Sequence, residues 1–243
     1  MMQSVEVHKA INAADVADQA SHVFIDEVVE LQSKQDFVHV ALTGGTVGIL
    51  TLNHLQKHPR LNEIDLNRLH IWFGDERYVD AKSVDRNAQQ AREALLSHIA
   101  IPELNIHEFP SSDSGLSVTE AAIEFERTLL EWFDAEPQID LMLLGMGPDG
   151  HVASLFPGHD YANNLIVSES DSPKPPAERL SMSMRMINAS KRIIFVVSGI
   201  DKAEAIEQIH KNDECDLPAA KVSAKGQTLW IIDEAAGASF WSC

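Results

Sequence analysis

The chain has 243 residues, of which 44% are hydrophobic and 23% charged, and its formal net charge at pH 7 is −18. This length and composition are typical of a globular protein with a large core, and they argue against an intrinsically disordered chain. So acidic a chain repels nucleic acid phosphates and anionic membranes, whose binding needs clustered Lys and Arg. We therefore expect no nucleic acid or membrane partner, and an anionic ligand would need a local group of basic side chains.

Targeting and cysteine signals are weak throughout the sequence. No stretch approaches the roughly 20 apolar residues of a membrane span, and the N-terminus lacks the apolar segment of a signal peptide. The two cysteines, Cys215 and Cys243, lie too far apart to suggest a metal site or a disulfide framework. We expect free thiols, no bound metal, and a cytoplasmic protein that is a monomer or a weak homodimer.

The first half of the chain alternates between patterns typical of strands and of helices. Strands are predicted at residues 4–7, 37–42, 69–73 and 105–109. Helices are predicted from Asn12, after Thr46 as far as Pro59, from Asn87 through Ile99, and over residues 119–134. The segment 69–73 is followed by the charged residues Asp75, Glu76 and Arg77, for which a solvated turn is one interpretation.

The second half opens on the most apolar stretch, residues 139–144, which has no polar alternation and is typical of a strand buried on both faces. Residues 158–177 are rich in Pro, Ser, Asp and Asn, which predicts an irregular segment with at most a short strand at 165–167. The remaining predictions are strands at 179–184, 193–198 and 228–232, a helix at 202–209 and a short terminal helix.

This alternation predicts an α/β, Rossmann-like fold with a largely parallel sheet and helices on both faces, in a single domain over residues 1–243. Ligands of such sheets bind beyond the carboxyl ends of the strands. Polar motifs follow several of the predicted strands, so we expect their side chains to meet at that edge.

The segment Thr43-Gly-Gly-Thr46 lies between a predicted strand and a predicted helix. Its glycines let backbone N–H groups approach an anion, and its hydroxyls and the helix N-terminus add to that attraction. We predict a site for a single phosphate. A tight strand-to-helix turn without a ligand is the alternative.

The strongest candidate for chemistry is the pair Asp149 and His151, in a glycine-rich turn after the most apolar strand. A neighbouring carboxylate can orient an imidazole and tune its pKa. A dinucleotide site at Gly145–Gly150 is disfavoured because Pro157 ends the segment too early for the long helix that such a site needs. Ser154 lacks the flanking glycines of a nucleophile elbow. Four other histidines are interpreted as structural, namely His39, His70, His98 and His107.

Taken together, these motifs resemble the 6-phosphogluconolactonase family, whose sugar-phosphate relatives include glucosamine-6-phosphate deaminase. The similar segments occur in the family's order over about the whole chain, at residues 43–46, 74–79, 144–157, 175–179 and 198–203. The resemblance implies a Rossmann-like sheet with no bound cofactor. It also implies hydrolysis of 6-phospho-D-glucono-1,5-lactone to 6-phosphogluconate in the pentose phosphate pathway.

The same resemblance implies roles for individual residues. His151 would be the general base that activates water, supported by Asp149. Arg77, held by Asp75 or Glu76, would face the lactone or the developing oxyanion. The phosphate would be bound by Thr43, Gly44, Gly45, Thr46, Arg179 and Lys202.

The sequence departs from the usual family pattern at several places. Val152 follows His151 where threonine is common, and Arg86 precedes Asn87 where serine is common. The loop at residues 43–48 is Thr-Gly-Gly-Thr-Val-Gly where Ser-Gly-Gly-Ser-Thr-Pro is common. The hydroxyl groups of Thr43 and Thr46 are retained.

Two other functions remain as alternatives. Deamination or isomerisation of an amino-sugar phosphate would need an acid/base carboxylate shortly after the histidine, and residues 155–157 supply none. A non-catalytic sugar-phosphate binding protein would need Thr43, Arg179 and Lys202 but not the base. Retention of His151 together with Arg77 argues against it.

Overall fold

In the computed structural model, which describes residues 4–133, 136–212, 214–239 and 241, the strands form one parallel sheet and one small antiparallel sheet. The strands are β1 Ser4–Ala10, β2 Val38–Leu42, β3 Leu69–Phe73, β4 Asp75–Arg77, β5 Leu141–Leu144, β6 Ile166–Glu169, β7 Arg179–Met182, β8 Arg192–Val197 and β9 Gln227–Asp233. The α-helices are α1 Ala13–Gln32, α2 Gly45–Lys57, α3 Asn87–Ala94, α4 Val118–Glu131, α5 Met184–Asn188 and α6 Ala203–Lys211.

The large sheet has the strand order β1-β9-β8-β5-β2-β3, and every neighbouring pair is parallel. All residues of β3 and β5 are buried, so both faces of the sheet are covered. The predicted Rossmann-like α/β fold is therefore confirmed. Because β2 and β5 are neighbours, the segments that follow them leave the sheet side by side, and the Gly145 N–H donates to Thr43 Oγ1 over 3.3 Å.

The small sheet has the order β4-β7-β6 and is antiparallel. The interpretation of residues 75–77 as a solvated turn is wrong, because these residues form β4, which pairs with β7. Gly74 joins the two sheets: its N–H donates to the Leu42 carbonyl over 2.9 Å, and its carbonyl accepts from the Met182 N–H over 2.8 Å. Charged residues that suggested solvent exposure thus lie in a strand.

Three other predicted elements differ in the structure. Residues 105–109 form no strand beyond a bridge between Ile106 and Ile71. The strand predicted at 179–184 ends at Met182, because the Ser183 hydroxyl accepts from the Met186 N–H and begins α5. The described residues after β9 form turns where a terminal helix was predicted.

Side-chain caps set the starts of two long helices. The Asn12 side chain accepts hydrogen bonds from the N–H groups of Ala14 and Asp15, which confirms the predicted start of α1. Ser117 and Glu120 form a reciprocal capping box at the start of α4. By contrast, the N-cap residue of α2 is Gly44, which has no side chain to form a cap, so the first N–H groups of α2 are available to a ligand.

Among the described helices, none is long and apolar enough to cross a membrane. Cys215 is a free thiol, as predicted, and Cys243 lies outside the described residues.

Three of the histidines interpreted as structural lie together in an aromatic cluster with Trp72. His70 stacks between His39 and His107, with ring centroids 4.9 and 5.3 Å away. The Trp72 indole donates to His39 Nδ1 over 3.1 Å and stacks on His107 at 4.0 Å. Burial lowers the pKa of His39 to about 4 and, together with the neighbouring histidines, lowers the pKa of His107 to about 3. The cluster is therefore neutral in the folded protein at neutral pH.

We expect this cluster to make the fold sensitive to acid. His39 and His107 take up protons near pH 6.5 in the unfolded chain but not in the folded one. Above pH 6.5 the two histidines do not reduce the free energy of unfolding. As the pH falls from 6.5 towards about 4, the free energy of unfolding decreases by about 1.4 kcal/mol per pH unit for each proton that only the unfolded chain binds. Urea unfolding at pH 7.5 and pH 5 measures the loss. His107→Gln should reduce it, His98→Gln at an exposed site should not, and equal losses in both variants would contradict the prediction.

Candidate active site

A cleft of about 480 Å³ opens where β2 and β5 end, at the carboxyl edge of the parallel sheet. The predicted site residues on its wall are Thr43, Gly44, Gly45, Thr46, Asp75, Arg77, His151, Arg179 and Lys202. Asp149 is bonded to His151. The structure thus brings together residues from both sheets that are far apart in the sequence.

His151 and Asp149 form a close pair within the turn after β5. The Nδ1 atom of His151 lies 2.5 Å from Asp149 Oδ1, which leaves Nε2 as the nitrogen available to a ligand or water. Burial lowers the pKa of His151, although the Asp149 carboxylate acts in the opposite direction. Burial opposes ionisation of Asp149, but the charge and hydrogen bond of His151 hold the pKa of Asp149 below its ordinary value. The imidazole is therefore neutral at pH 7 and can accept a proton.

Gly147 makes room for this pair. A Cβ atom at position 147 would lie 2.0 Å from His151 Cε1 and 2.6 Å from Asp149 Oδ1, distances that no side chain can occupy. The Gly147 N–H also donates to the His151 carbonyl over 2.9 Å. The glycine-rich turn therefore serves to hold an imidazole against the backbone, and no helix of the described chain begins there to cradle a dinucleotide.

The segment from Thr43 to Thr46 presents the N-terminus of α2 to the cleft. The uncapped N–H groups of the first helical turn and the positive end of the helix dipole favour an anion. Gly44 is required by a close approach, because a Cβ there would lie 2.0 Å from Asn87 Oδ1. This wall of the cleft can hold a phosphate group.

Basic side chains face the same cleft. Arg77 of β4 and Arg179 of β7 are opposite each other in register across the antiparallel pair. Like charges at such positions repel each other unless an anion neutralises them. Lys202 adds a third cation, with Nζ 2.5 Å from Asp201 Oδ2. In a chain of net charge −18, this is the local group of basic residues that an anionic ligand needs.

The expectation that Asp75 or Glu76 holds Arg77 is wrong for its guanidinium group. Arg77 Nη1 donates instead to the Asp85 carbonyl over 2.7 Å. Asp75 is engaged elsewhere: its Oδ2 accepts from the Ser154 hydroxyl over 2.6 Å and its Oδ1 accepts from Asn87 Nδ2 over 3.1 Å. Ser154 is fully buried, so it supports Asp75 rather than acting as a nucleophile.

Glu76 organises the connection between β4 and α3. Its fully buried carboxylate accepts hydrogen bonds from the backbone N–H groups of Arg77, Asn87 and Ala88, and lies 3.5 Å from Arg86 Nε. The carboxylate therefore binds the start of α3 and fixes the backbone of Arg77. It acts on the site through the backbone and not through an ion pair with Arg77.

Among the residues of the cleft wall that sequence reasoning did not assign to the site are Asn87 and Lys174. Asn87 was recognised only as a helix start, and its contact with Asp75 depends on the pairing of distant segments. Lys174 lies in the segment predicted to be irregular. The signal that could have revealed it is its position beside Pro175–Arg179, one of the segments that carries the family resemblance.

Comparison with known proteins supports the same family. A family model described as glucosamine-6-phosphate isomerases/6-phosphogluconolactonase matches residues 11–230. The 6-phosphogluconolactonase of Mycobacterium tuberculosis is 38% identical over 209 residues, 82% of this chain and 83% of the relative. That of Streptomyces coelicolor is 34% identical over 232 residues, 91% and 89% of the two chains.

A solved structure agrees with these relatives. The crystal structure of 6-phosphogluconolactonase from Thermotoga maritima is similar with a TM-score of 0.83 and 29% identity, over 95% of this chain and 100% of that chain. The family match includes all the cleft residues described above. This chain belongs to the glucosamine-6-phosphate isomerase/6-phosphogluconolactonase family.

Proposed function

We propose that this protein hydrolyses 6-phospho-D-glucono-1,5-lactone to 6-phospho-D-gluconate, with His151 as the general base. The observation that carries the proposal is that one cleft holds a neutral, carboxylate-bound imidazole and a group of anion-binding elements. Relatives at 34% and 38% identity that are named 6-phosphogluconolactonase support the same substrate.

The reaction needs proton transfer and stabilisation of an oxyanion. Water attacks the lactone carbonyl carbon while His151 Nε2 takes a proton from it, and the carbonyl electron pair moves onto the oxygen. When the carbonyl re-forms, the ring C–O bond breaks and the proton on His151 passes to the ring oxygen, which becomes a hydroxyl. A base with a pKa near or below neutral suits the first step, and the positive charge of Arg77 would face the developing negative charge.

The phosphate group, remote from the bond that breaks, orients the ring. In this proposal it is bound by the N–H groups and hydroxyls of Thr43–Thr46 together with Arg179 and Lys202, and Asp75 holds the wall of the cleft in place. Fixed at one end, the lactone presents its carbonyl to His151, so binding energy is used for orientation.

A direct assay tests this function. Freshly generated 6-phosphogluconolactone should be converted to 6-phosphogluconate well above the spontaneous rate, and glucosamine 6-phosphate should release no ammonia. Ammonia release would instead support a deaminase. Binding of 6-phosphogluconate without any lactone turnover would support a non-catalytic sugar-phosphate binding protein.

We place this reaction in the pentose phosphate pathway and in the cytoplasm. The sugar-phosphate substrate supports the pathway, and the free thiol of Cys215 is compatible with a reducing compartment.

Gly147→Ala should impair this reaction without removing any functional group. The new methyl group would overlap His151 and Asp149, so the imidazole must move away from its position at the cleft. We expect kcat to fall by about 10²-fold or more, as small displacements of a reacting group can cost that much. Lactone turnover and the melting temperature should be measured together. Gly115→Ala is the control for kcat, because Gly115 lies in a loop outside the cleft with open space around it. Its φ of +82° is in the left-handed region, so this control should lose some stability while it keeps wild-type kcat. Unchanged kcat in Gly147→Ala would contradict the predicted role of the turn.

A further inference from the structure

The loop before β7 brings Lys174 into the lining of the cleft, together with His151 and Arg179. Its backbone is anchored: the Lys174 carbonyl accepts from Arg179 Nη2 over 2.9 Å and from the Ser172 hydroxyl over 3.0 Å. The position of Lys174 is therefore coupled to that of Arg179, even though its own side chain is exposed.

The ammonium group of Lys174 differs from the other cations of the cleft. The guanidinium group of Arg77 donates to the Asp85 carbonyl, that of Arg179 donates to loop carbonyls, and Lys202 is paired with Asp201. Within the described part of the chain, Nζ of Lys174 has no recorded hydrogen bond or ion pair. It can meet a ligand without first breaking an interaction.

Lys174 also acts electrostatically on two groups of the cleft. Burial lowers the pKa of His151, Asp149 and Asp75 oppose that shift, and the ammonium group of Lys174 adds to it. The hydrogen bond from Lys202 lowers the pKa of Asp201, and the ammonium group of Lys174 acts in the same direction. Lys174 thus lies within electrostatic range both of the base and of the Lys202 end of the cleft.

We propose that Lys174 is a further catalytic residue, whose ammonium group stabilises the negative charge on the lactone carbonyl oxygen as water attacks from the side of His151. This inference rests on the proposed function. The oxyanion is the oxygen bonded to the carbon that water attacks, so its charge develops one bond length from that carbon and close to His151. The phosphate already has the α2 N-terminus, Arg179 and Lys202 as partners. Arg77 faces the developing charge from a fixed position, because its guanidinium group donates to the Asp85 carbonyl. Among the described cations of the cleft, Lys174 adds a second positive charge that is free to follow the reacting end of the substrate.

Three variants test the proposal kinetically. Lys174→Met should lower kcat by about 10²- to 10³-fold, the effect of removing one oxyanion donor, while KM changes little. Lys174→Arg keeps the charge and should recover part of kcat. Lys225→Met, at an exposed loop lysine outside the cleft, should match the wild type. A raised KM with unchanged kcat in Lys174→Met would show a phosphate ligand and overturn the proposal.

A second measurement requires no turnover. The pKa of His151, followed by NMR titration of the imidazole in the free enzyme, should rise in Lys174→Met and stay unchanged in Lys225→Met. An unchanged His151 titration, or unchanged kcat in Lys174→Met, would overturn the role of Lys174 while leaving lactone hydrolysis intact. Absence of lactone hydrolysis in the wild type would instead overturn the proposed function, and the catalytic assignment of Lys174 with it.

Discussion

His151→Ala is expected to lower kcat for hydrolysis of 6-phosphogluconolactone by about 10²- to 10⁴-fold, the range for loss of a general base. The substitution removes the nitrogen that takes the proton from water, while the phosphate-binding segment Thr43–Thr46 and Arg179 remain. KM should therefore change much less than kcat. This is the largest effect on activity that the cleft predicts.

The rate must be measured after subtraction of spontaneous lactone hydrolysis, with His98→Ala as a matched control at an exposed histidine outside the cleft. In the wild type, kcat/KM should decline on the acid side as His151 becomes protonated. Because burial lowers the pKa of His151, that decline should lie below pH 6.5. A purified His151→Ala variant with wild-type turnover would refute the assignment of the base.

The largest effect on stability should come from Glu76→Ala. The substitution removes the acceptor of three backbone N–H groups and leaves Arg86, which is 1% exposed, buried without its carboxylate. Above pH 7, where Glu76 is ionised, loss of one partner from a buried charge pair costs about 3–5 kcal/mol. We expect a corresponding fall in the free energy of unfolding, and a loss of order at the start of α3 that also displaces Arg77.

Urea unfolding of Glu76→Ala, with Glu131→Ala at an exposed position as control, measures the cost. The second variant Glu76→Gln tests the charge. Burial raises the pKa of Glu76 to about 7, so the folded state holds a proton that the unfolded chain has already released. The protonated Glu76 makes its full contribution to the free energy of unfolding below about pH 4.5, and this contribution is lost as the pH rises through 7. The cost of Glu76→Gln should therefore be larger at pH 5 than at pH 8. A cost for Glu76→Ala no greater than that of Glu131→Ala would contradict this role.

Helices and buried strands were the most predictable elements. The apolar stretch at 139–144 contains β5, and Asn12 caps α1 as expected. In both cases a few neighbouring residues are enough for the prediction. A run of apolar side chains is typical of a strand covered on both faces, and an asparagine side chain can accept hydrogen bonds from the free N–H groups at the start of a helix. The main exception was residues 105–109, whose apolar pattern comes from packing along β3 without a ladder of hydrogen bonds.

In the candidate site too, contacts between residues close in the sequence were predictable, and contacts between distant residues were not. The bond between Asp149 and His151 joins side chains two residues apart, and the segment Thr43–Thr46 lies between a strand and a helix that both have clear patterns. The sequence by itself therefore predicted the parallel α/β fold, which the structure confirms, and also the candidate base with its carboxylate and the candidate phosphate loop, whose residues the structure brings to one cleft. In each of these, the interacting groups are close along the chain or share one periodic pattern.

Only the tertiary structure decided how the remaining charges are used. The pairing of β4 with β7 places Arg77 opposite Arg179, directs Glu76 to Arg86 and the α3 backbone, and couples the loop of Lys174 to Arg179. These contacts join segments of the chain that are brought together by strand pairing or folded-loop geometry. The sequence does not indicate whether a charged side chain will pair with another residue or remain available to a ligand. Its partner depends on which distant segment of the chain packs beside it.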